Sequence, residues 1–580
     1  MSKWLLILLY FVCRCWPALS QNIGIGTTAP NASAVLDITS TAKGLLIPRM
    51  GSSSIAAISN PAKGLMVYDS VKNQLLVNMG SPAAPDWQTV VANSGWGLSG
   101  NNGTNPSTQF IGNTDNQALK FRINNIVAGE LNPGDGNILW GLRAGQANTL
   151  GHSNIGIGTD ALKLNTDRGN LVAIGDSALY NNGTSPIAYQ GYGLANTAVG
   201  SKALYTNTNG YDNTAIGYQS LYYNTTGTYN TANGSYALHN NSSGYHNTAN
   251  GYDALGNNSI GTENTANGYT ALFANSTGNN NTADGSQALY YNSTGIENNS
   301  TGYYSLRFST TGNYNTADGV YALAYNTSGS DNTAIGHGAL INNSGSLGSY
   351  NTAVGSYALV GTTNSQYNTV VGYNSGSVWD MGYNNTLLGA NCDMTGPGFY
   401  NCIAIGQQVT CTANSQARIG NLATNSIGGT VGWSTLSDGR YKTNMQENVK
   451  GIEFIMKLRP LTYHLKLTAL ADRMDEMAGR KGGKKDAVTR QVLAQTESAI
   501  HTGFVAQEVE QAAKESGYEF SGVDKPQNEN DFYGLRYSEF VVPLVKAVQE
   551  QQQMMEEMKK RITALEEQNK LLQQLLNKKN

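Results

Sequence analysis

The stretch NTAIGYQSLYYNTTGTY (Asn213–Tyr229) runs straight into NTANGSYALHNNSSGYH (Asn230–His246), and the two align with a 17-residue step. The same frame returns as HNTANGYDAL (246–255), ENTANGYTAL (263–272), NNTADGSQAL (280–289), YNTADGVYAL (314–323), DNTAIGHGAL (331–340) and YNTAVGSYAL (350–359). Its glycine falls at 200, 217, 234, 251, 268, 285, 302, 319 and 336, then after one longer step at 355, 372, 389 and 406. A period this long is no heptad. It is the signature of one supersecondary unit per repeat, stacked into a solenoid.

Each part of the unit has a physical task. Asn-Thr-Ala-x-Gly reads as a short strand ending at a glycine, where the backbone can take a positive φ or approach a neighbour closely. Ala-Leu supplies the apolar residues to be buried, and NTTG or NSTG makes a second turn. One coil cannot cover its own Ala-Leu face, so stability must come from stacking. Stacked coils also bring their asparagines into line, which allows amide ladders.

The residue before the repeat glycine varies in blocks. It is Ile174, Val199 and Ile216 early, and Ile335, Val354, Val371, Leu388 and Ile405 late. Between them stand Asn233, Asn250, Asn267, Asp284, Thr301 and Asp318. Facing an oligomer axis, this column would give a shaft with a polar middle and dry ends; facing solvent, it would be drift.

The bulk numbers suit such a shaft. Of 580 residues, 13% are charged, with 67 glycines and 33 tyrosines against 11 phenylalanines. A net charge of −3 gives no electrostatic reason to expect nucleic acid or an acidic membrane surface as partner. Lys3, the apolar run WLLILLYFV (4–12) and the small residues of ALS (18–20) read as a signal peptide over 1–20, too short to span a bilayer. Cys13 and Cys15 would leave with it. That leaves Cys392, Cys402 and Cys411, with a Cys402–Cys411 disulfide and three unpaired, half-buried thiols both open. The scattered histidines (152, 239, 246, 337, 464, 501) offer no metal-ligand spacing, and no cofactor is expected.

Residues 21–145 hold short apolar pieces such as NIGIG (22–26) and NPAKGLMVYDS (60–70), the pattern of a β-rich head or attachment region. The repeat shaft is expected over 150–425. After Trp433 the chain changes character. GIEFIMKLRPLTYHLK (451–466) and TGFVAQEVEQAAKES (502–516) carry helical amphipathic spacing, and RKGGKKD (480–486) reads as a solvated basic loop. Over 541–578 a heptad seam runs through Val541, Leu544, Val548, Gln551, Met555, Met558, Ile562, Leu565, Asn569, Leu572 and Leu576. That is an oligomerising coiled coil.

Two resemblances follow from these motifs. The repeats over about 150–410 resemble the NTA-hydrophobic-G coils of trimeric autotransporter adhesin heads, which implies a trimeric parallel β-roll. SDGRYKTN (437–444), LRPLTYHLK (458–466), GFVAQEVE (503–510) and YSEFVVPLVKAVQEQQ (537–552) resemble, in the same order, the intramolecular chaperone domain of endosialidases, phage tail spikes and the myelin regulatory factor. The resemblance implies an α+β domain over 437–540 that trimerises, keeps three chains in register while a β shaft folds, and cuts itself off immediately before its serine. It places the nucleophile at Ser437, its partner at Lys442, and the cut between Leu436 and Ser437.

The chemistry is coherent. A serine hydroxyl needs a base, and lysine can be that base when desolvation or a nearby cation lowers its pKa from about 10.4 towards 7–8. Arg440 is a candidate for that cation. The expectation is therefore a mostly β, exported, trimeric fibrous surface protein of adhesin type, its partners being itself and a cell-surface glycan or protein. A phage-type tail fibre, and the same fold with an uncleaved, permanent trimerisation domain, are the alternatives. A polysaccharide-cleaving β-helix would need clustered acids, and the repeats offer isolated ones such as Asp284 and Asp318.

Overall fold

A computed structural model describes residues 22–90, 105, 107, 110–184, 193–345, 348–361, 363–479 and 487–579. The stretch read as a signal peptide, 1–20, and the stretch read as a basic loop, 480–486, lie outside the described residues. The chain divides into two units, 1–112 and 113–580.

In the first unit Ile23–Ile25 pairs in parallel with Leu36–Ile38. A four-stranded sheet follows, in the order Arg49–Met50, Met66–Asp69, Gln74–Asn78, Trp87–Thr89. Ile55, from the helix Ser52–Ala56, packs on Val67 and Leu76. Asp69 ties helix to sheet by accepting from Ser52 Oγ at 2.6 Å, a bond that holds its carboxyl below the usual range.

The second unit is built on the repeats. Each Thr-Ala-x triplet is a three-residue strand, paired in parallel and in register with its neighbours: Thr214, Ala215 and Ile216 lie against Thr231, Ala232 and Asn233. The ladder continues to Ala417–Ile419. At its start, Leu119–Ile123, Ile126–Asn132 and Asn137–Trp140 form an antiparallel meander whose last strand pairs with Ile155–Ile157. So 119–140, expected in the attachment region, is part of the shaft sheet. Its final strand, Asn137–Trp140, already lies in the repeat register.

Inside the coil the stacking rule is literal. The strand alanines and the Ala-Leu pairs are fully buried, from Ala198 to Leu359. Each such leucine sits in the left-handed region (Leu221 at φ 50, Leu238 at φ 51), a strain of about 1–2 kcal/mol for an L-residue. Full burial of a leucine is worth about 1.5–3 kcal/mol. Leu221 N also donates to Ala237 O of the next coil at 3.0 Å, so the strained turn holds.

Two asparagine ladders fill the remaining interior. Asn230 donates from its backbone N to Asn213 Oδ1 at 3.0 Å, and from Nδ2 to Asn213 Oδ1 at 3.1 Å and Gly244 O at 2.8 Å. In the second ladder Asn224 Nδ2 donates to Asn207 Oδ1 at 2.9 Å. These side chains are buried, so an unmet amide would carry a desolvation penalty. The ladder meets most of them internally. The repeat glycine allows close stacking: Gly268 takes φ +136, and a Cβ there would lie 2.6 Å from Gly285 O.

The pre-glycine residues point out of the coil, with Ile216 and Leu388 42% and 48% exposed. Cys392, Cys402 and Cys411 are fully buried near the last coils, rather than half-buried, and Cys402 and Cys411 are not joined by a disulfide. Cys402 stands where an asparagine is due, its N bonding to Asn385 Oδ1 at 3.0 Å. A Cys402–Cys411 hydrogen bond lowers the Cys402 pKa and raises that of Cys411.

Beyond Lys450 the chain is α+β. Its core is Phe454, Val509, Ala512, Ala513 and Phe540, with Phe504 and Phe520 against it. The segment 451–466 is not one helix. The helix Ile452–Ile455 stops, Pro460 intervenes, and Leu461–Tyr463 becomes a strand antiparallel to His501–Gly503. A proline cannot continue the backbone ladder, and the residue before it disfavours helix. Helices Leu467–Met477 and Ala487–Glu497 pack on each other, and Ala506–Glu515 lies within the 502–516 stretch. Val541–Lys579 is one continuous helix of 39 residues. The chain as a whole is mostly β, a parallel β-solenoid followed by a helical C-terminal region.

Candidate functional site

The seam between shaft and C-terminal region is a short turn. Asp438 caps the 3-10 helix Gly439–Tyr441 by accepting from Arg440 N at 2.9 Å. Tyr441 N donates to Asp438 O at 3.1 Å and Lys442 N to Gly439 O at 3.2 Å. The turn folds the chain back by one loop, so residues five apart in sequence meet. Lys442 Nζ lies 2.7 Å from Ser437 Oγ.

Arg440 does not serve the lysine. Its guanidinium grips Asp438, Nη2 to Oδ2 at 2.6 Å and Nε to Oδ2 at 3.0 Å. The pairing lowers the Asp438 pKa and raises that of Arg440. The expected cation is paired with a carboxylate two residues away, because the opposite charge attracts it and satisfies its donors.

The stretch around Ser437 is open. Trp433 is 83% and Leu436 86% exposed, and Val431, Tyr441 and Met445 are exposed as well. Ser437 and Lys442 are themselves exposed.

A second arrangement was not foreseen. The loop PQNEND (526–531) docks on the last coils: Asn528 Nδ2 donates to Thr412 O at 2.8 Å, and Gln416 Nε2 to an Asp531 carboxylate oxygen at 3.1 Å. Thr412 Oγ1 donates to the same oxygen, and Leu422 packs against Leu467, Ala471 and Leu493. Pro with Asn and Asp signalled a turn; nothing in the loop's composition named its acceptor. A cavity of about 620 Å³ lies beside this contact, lined by Gln416, Arg418, Leu470, Met474, Tyr533 and others. Neither Ser437 nor Lys442 borders it.

Residues 437–518 match the family model described as chaperone of endosialidase. The chain carries an endosialidase-type chaperone domain. Its matched segment begins at Ser437, the residue whose hydroxyl Lys442 contacts. A second model, described as phage tail like trimerisation region, matches 24–105. No curated protein matches the chain. With the solenoid between them, the trimerisation region and the chaperone domain make this a tail-fibre-like protein with a segment for self-association. No helix among the described residues is long and apolar enough to cross a membrane.

Proposed function

We propose that the chain is an exported, trimeric fibre whose chaperone domain aligns three shafts and then cuts itself away between Leu436 and Ser437. The observation that carries this reading is the 2.7 Å contact between Lys442 Nζ and Ser437 Oγ at the first residue of the matched chaperone segment. Ser437 Oγ adds to the Leu436 carbonyl carbon while its proton passes to neutral Lys442 Nζ. The Leu436–Ser437 C–N bond then breaks, and the lysine returns the proton to the departing Ser437 amine. The resulting ester links the Leu436 acyl group to Ser437 Oγ. Water hydrolyses it, leaving a carboxylate at Leu436 and a free amine at Ser437.

The exposed apolar residues around the bond support a coupling to assembly. Trp433, Leu436 and Tyr441 are suited to burial between chains, and burial would dry the lysine as well. The seam of the long C-terminal helix is equally uncovered, from Leu544 through Met558 and Ile562 to Leu576. Three such helices would cover it as a coiled coil. Register control has a physical purpose here, since identical coils permit slipped pairings of similar local energy. The mature fibre, with its template gone, would be kinetically held and would meet a cell-surface glycan or protein.

Mass spectrometry of the purified protein beside a Ser437→Ala version tests the reading. A new N-terminus at Ser437 in the parent alone supports it. A parent that stays intact while migrating as a trimer makes the chaperone domain a permanent clamp and removes the dyad.

A further inference from the structure

Arg307 stands out in a shaft with few charges. The other described arginines between 113 and 436 each lie within bonding or ion-pair reach of a polar side chain: Arg122 bonds Asn125, Arg143 pairs with Asp160, Arg168 with Asp167, and Arg418 bonds Gln416. Among the described residues Arg307 has neither a carboxylate nor a hydrogen-bond acceptor, and its Nε is buried without a partner. Its guanidinium carbon instead lies 4.1 Å from the Tyr304 ring centroid and 4.8 Å from that of Phe308. Tyr290 and Tyr291 of the preceding coil stand at 5.8 and 6.0 Å.

Four rings thus hold a planar cation in place while its donors are unspent. Such a group is preorganised for an oxyanion, because the guanidinium fork matches a carboxylate or sulfate with two parallel hydrogen bonds. The rings attract the cation from their faces and take nothing from its hydrogen-bonding edge. Tyr291, Tyr303 and Tyr325 nearby are each more than 40% exposed, offering flat apolar faces with hydroxyl tips. One cation is too few for nucleic acid, whose affinity rests on many phosphate contacts, but it is enough to hold one carboxylate or sulfate of a sugar chain. The uncharged, hydroxyl- and amide-rich surface around it suits a hydroxyl-rich ligand.

We propose that Arg307 with Tyr290, Tyr291 and Tyr304 is a binding site for the anionic group of an acidic polysaccharide. This rests on the reading of the fibre as a surface that recognises a ligand, and it names the ligand's chemistry and place.

The test is calorimetric titration of the full chain with three probes: a galacturonate oligomer, its neutral methyl ester, and a sulfated galactan oligomer. The charged probes distinguish carboxylate from sulfate as the source of the oxyanion. The expected result is binding of at least one charged probe, little of the methyl ester, and a loss of roughly tenfold or more in Arg307→Gln. Arg307→Lys keeps a cation over the rings without the fork and should recover affinity only in part; its thermal unfolding controls for lost ring contacts. Charged-probe binding unchanged in Arg307→Gln overturns this site but leaves ligand recognition standing. Equal binding of the methyl ester overturns the anionic specificity. Failure of every probe overturns the site and counts against glycan recognition, while the cleavage reading is judged separately by mass.

Discussion

Asn292 and Ser309 occupy the same position in successive coils, and Asn292 Oδ1 and Ser309 Oγ are both buried without a hydrogen-bond partner. The serine interrupts the second amide ladder, which runs intact from Asn207 to Asn292 and resumes between Asn326 and Asn343. Ser309→Asn should restore two amide bonds. Each is worth about 1 kcal/mol net, so stability should rise by about 1–2 kcal/mol. Thermal and denaturant unfolding of the full chain measure this, and a variant no more stable than the parent would show that the serine coil is better satisfied than its neighbours suggest.

A glycine of the stacking column should tolerate nothing larger. Gly268→Ala places a Cβ at 2.6 Å from Gly285 O and forces alanine to φ +136. Both effects destabilise, by about 2 kcal/mol or more together. Faster hydrogen exchange confined to the coils around 251–285 is expected. Protection equal to the parent's would mean that the coils can part there at little cost.

How much of this could be read from residues alone depended on periodicity. The 17-residue step set the coil, and the phase of Ala-Leu against Asn-Thr-Ala marked which residues are buried, though the leucine itself sits in a turn. The amide ladders followed from stacking identical asparagines. The left-handed conformation of Leu221 and Leu238 did not, because no propensity favours it; burial and the inter-coil bond impose it. Leu467–Met477 and Ala487–Glu497 were missed because each is a single 11-residue piece, with no repeat to reinforce its pattern. That Ser437 and Lys442 stand together was legible through the resemblance; their roles are not read from the contact. The capture of Arg440 by Asp438 was a choice between partners that only coordinates resolve.

If Lys442 accepts the serine proton, charge alone should not replace it. Lys442→Arg keeps a cation near Ser437 but supplies no neutral amine at ordinary pH. Cleavage should slow by about 100-fold or more, with trimer assembly retained. Time-resolved mass analysis beside size-exclusion chromatography reads both. Cleavage at the parent rate would remove lysine as the base.

Acid should loosen the chaperone domain through Glu510. Lys514 at 2.8 Å, Lys525 at 2.9 Å and the Tyr533 hydroxyl at 3.0 Å hold its pKa down at about 2, from an ordinary 4.5. A depressed carboxyl contributes stability that is fully present above the unfolded value and is lost as pH falls through the folded one. The loss should therefore fall between about pH 4.5 and 2. In Glu510→Gln that part of the pH dependence should flatten. Denaturant midpoints across this range decide it, and parallel curves for parent and variant would refute the assignment.

The contact of Asp531 with Thr412 and Gln416 predicts mutual protection of shaft end and chaperone domain. Asp531→Ala should raise hydrogen exchange of the 403–419 amides by roughly tenfold, the equivalent of one lost charged hydrogen bond. Unchanged exchange would mean that the last coils close themselves.

The amide ladders run one way. Asn213, Asn230 and Asn247 each give Nδ2 to the coil before and leave Oδ1 for the coil after, and the second ladder of Asn224, Asn241 and Asn258 does the same. Each row is consequently vectorial, and its last asparagine leaves a carbonyl oxygen that asks for a donor; in the row that ends at Asn343 this oxygen is buried without a partner. In the first ladder that request is met by the Cys402 amide, where a main-chain N–H ends the chain of side-chain bonds.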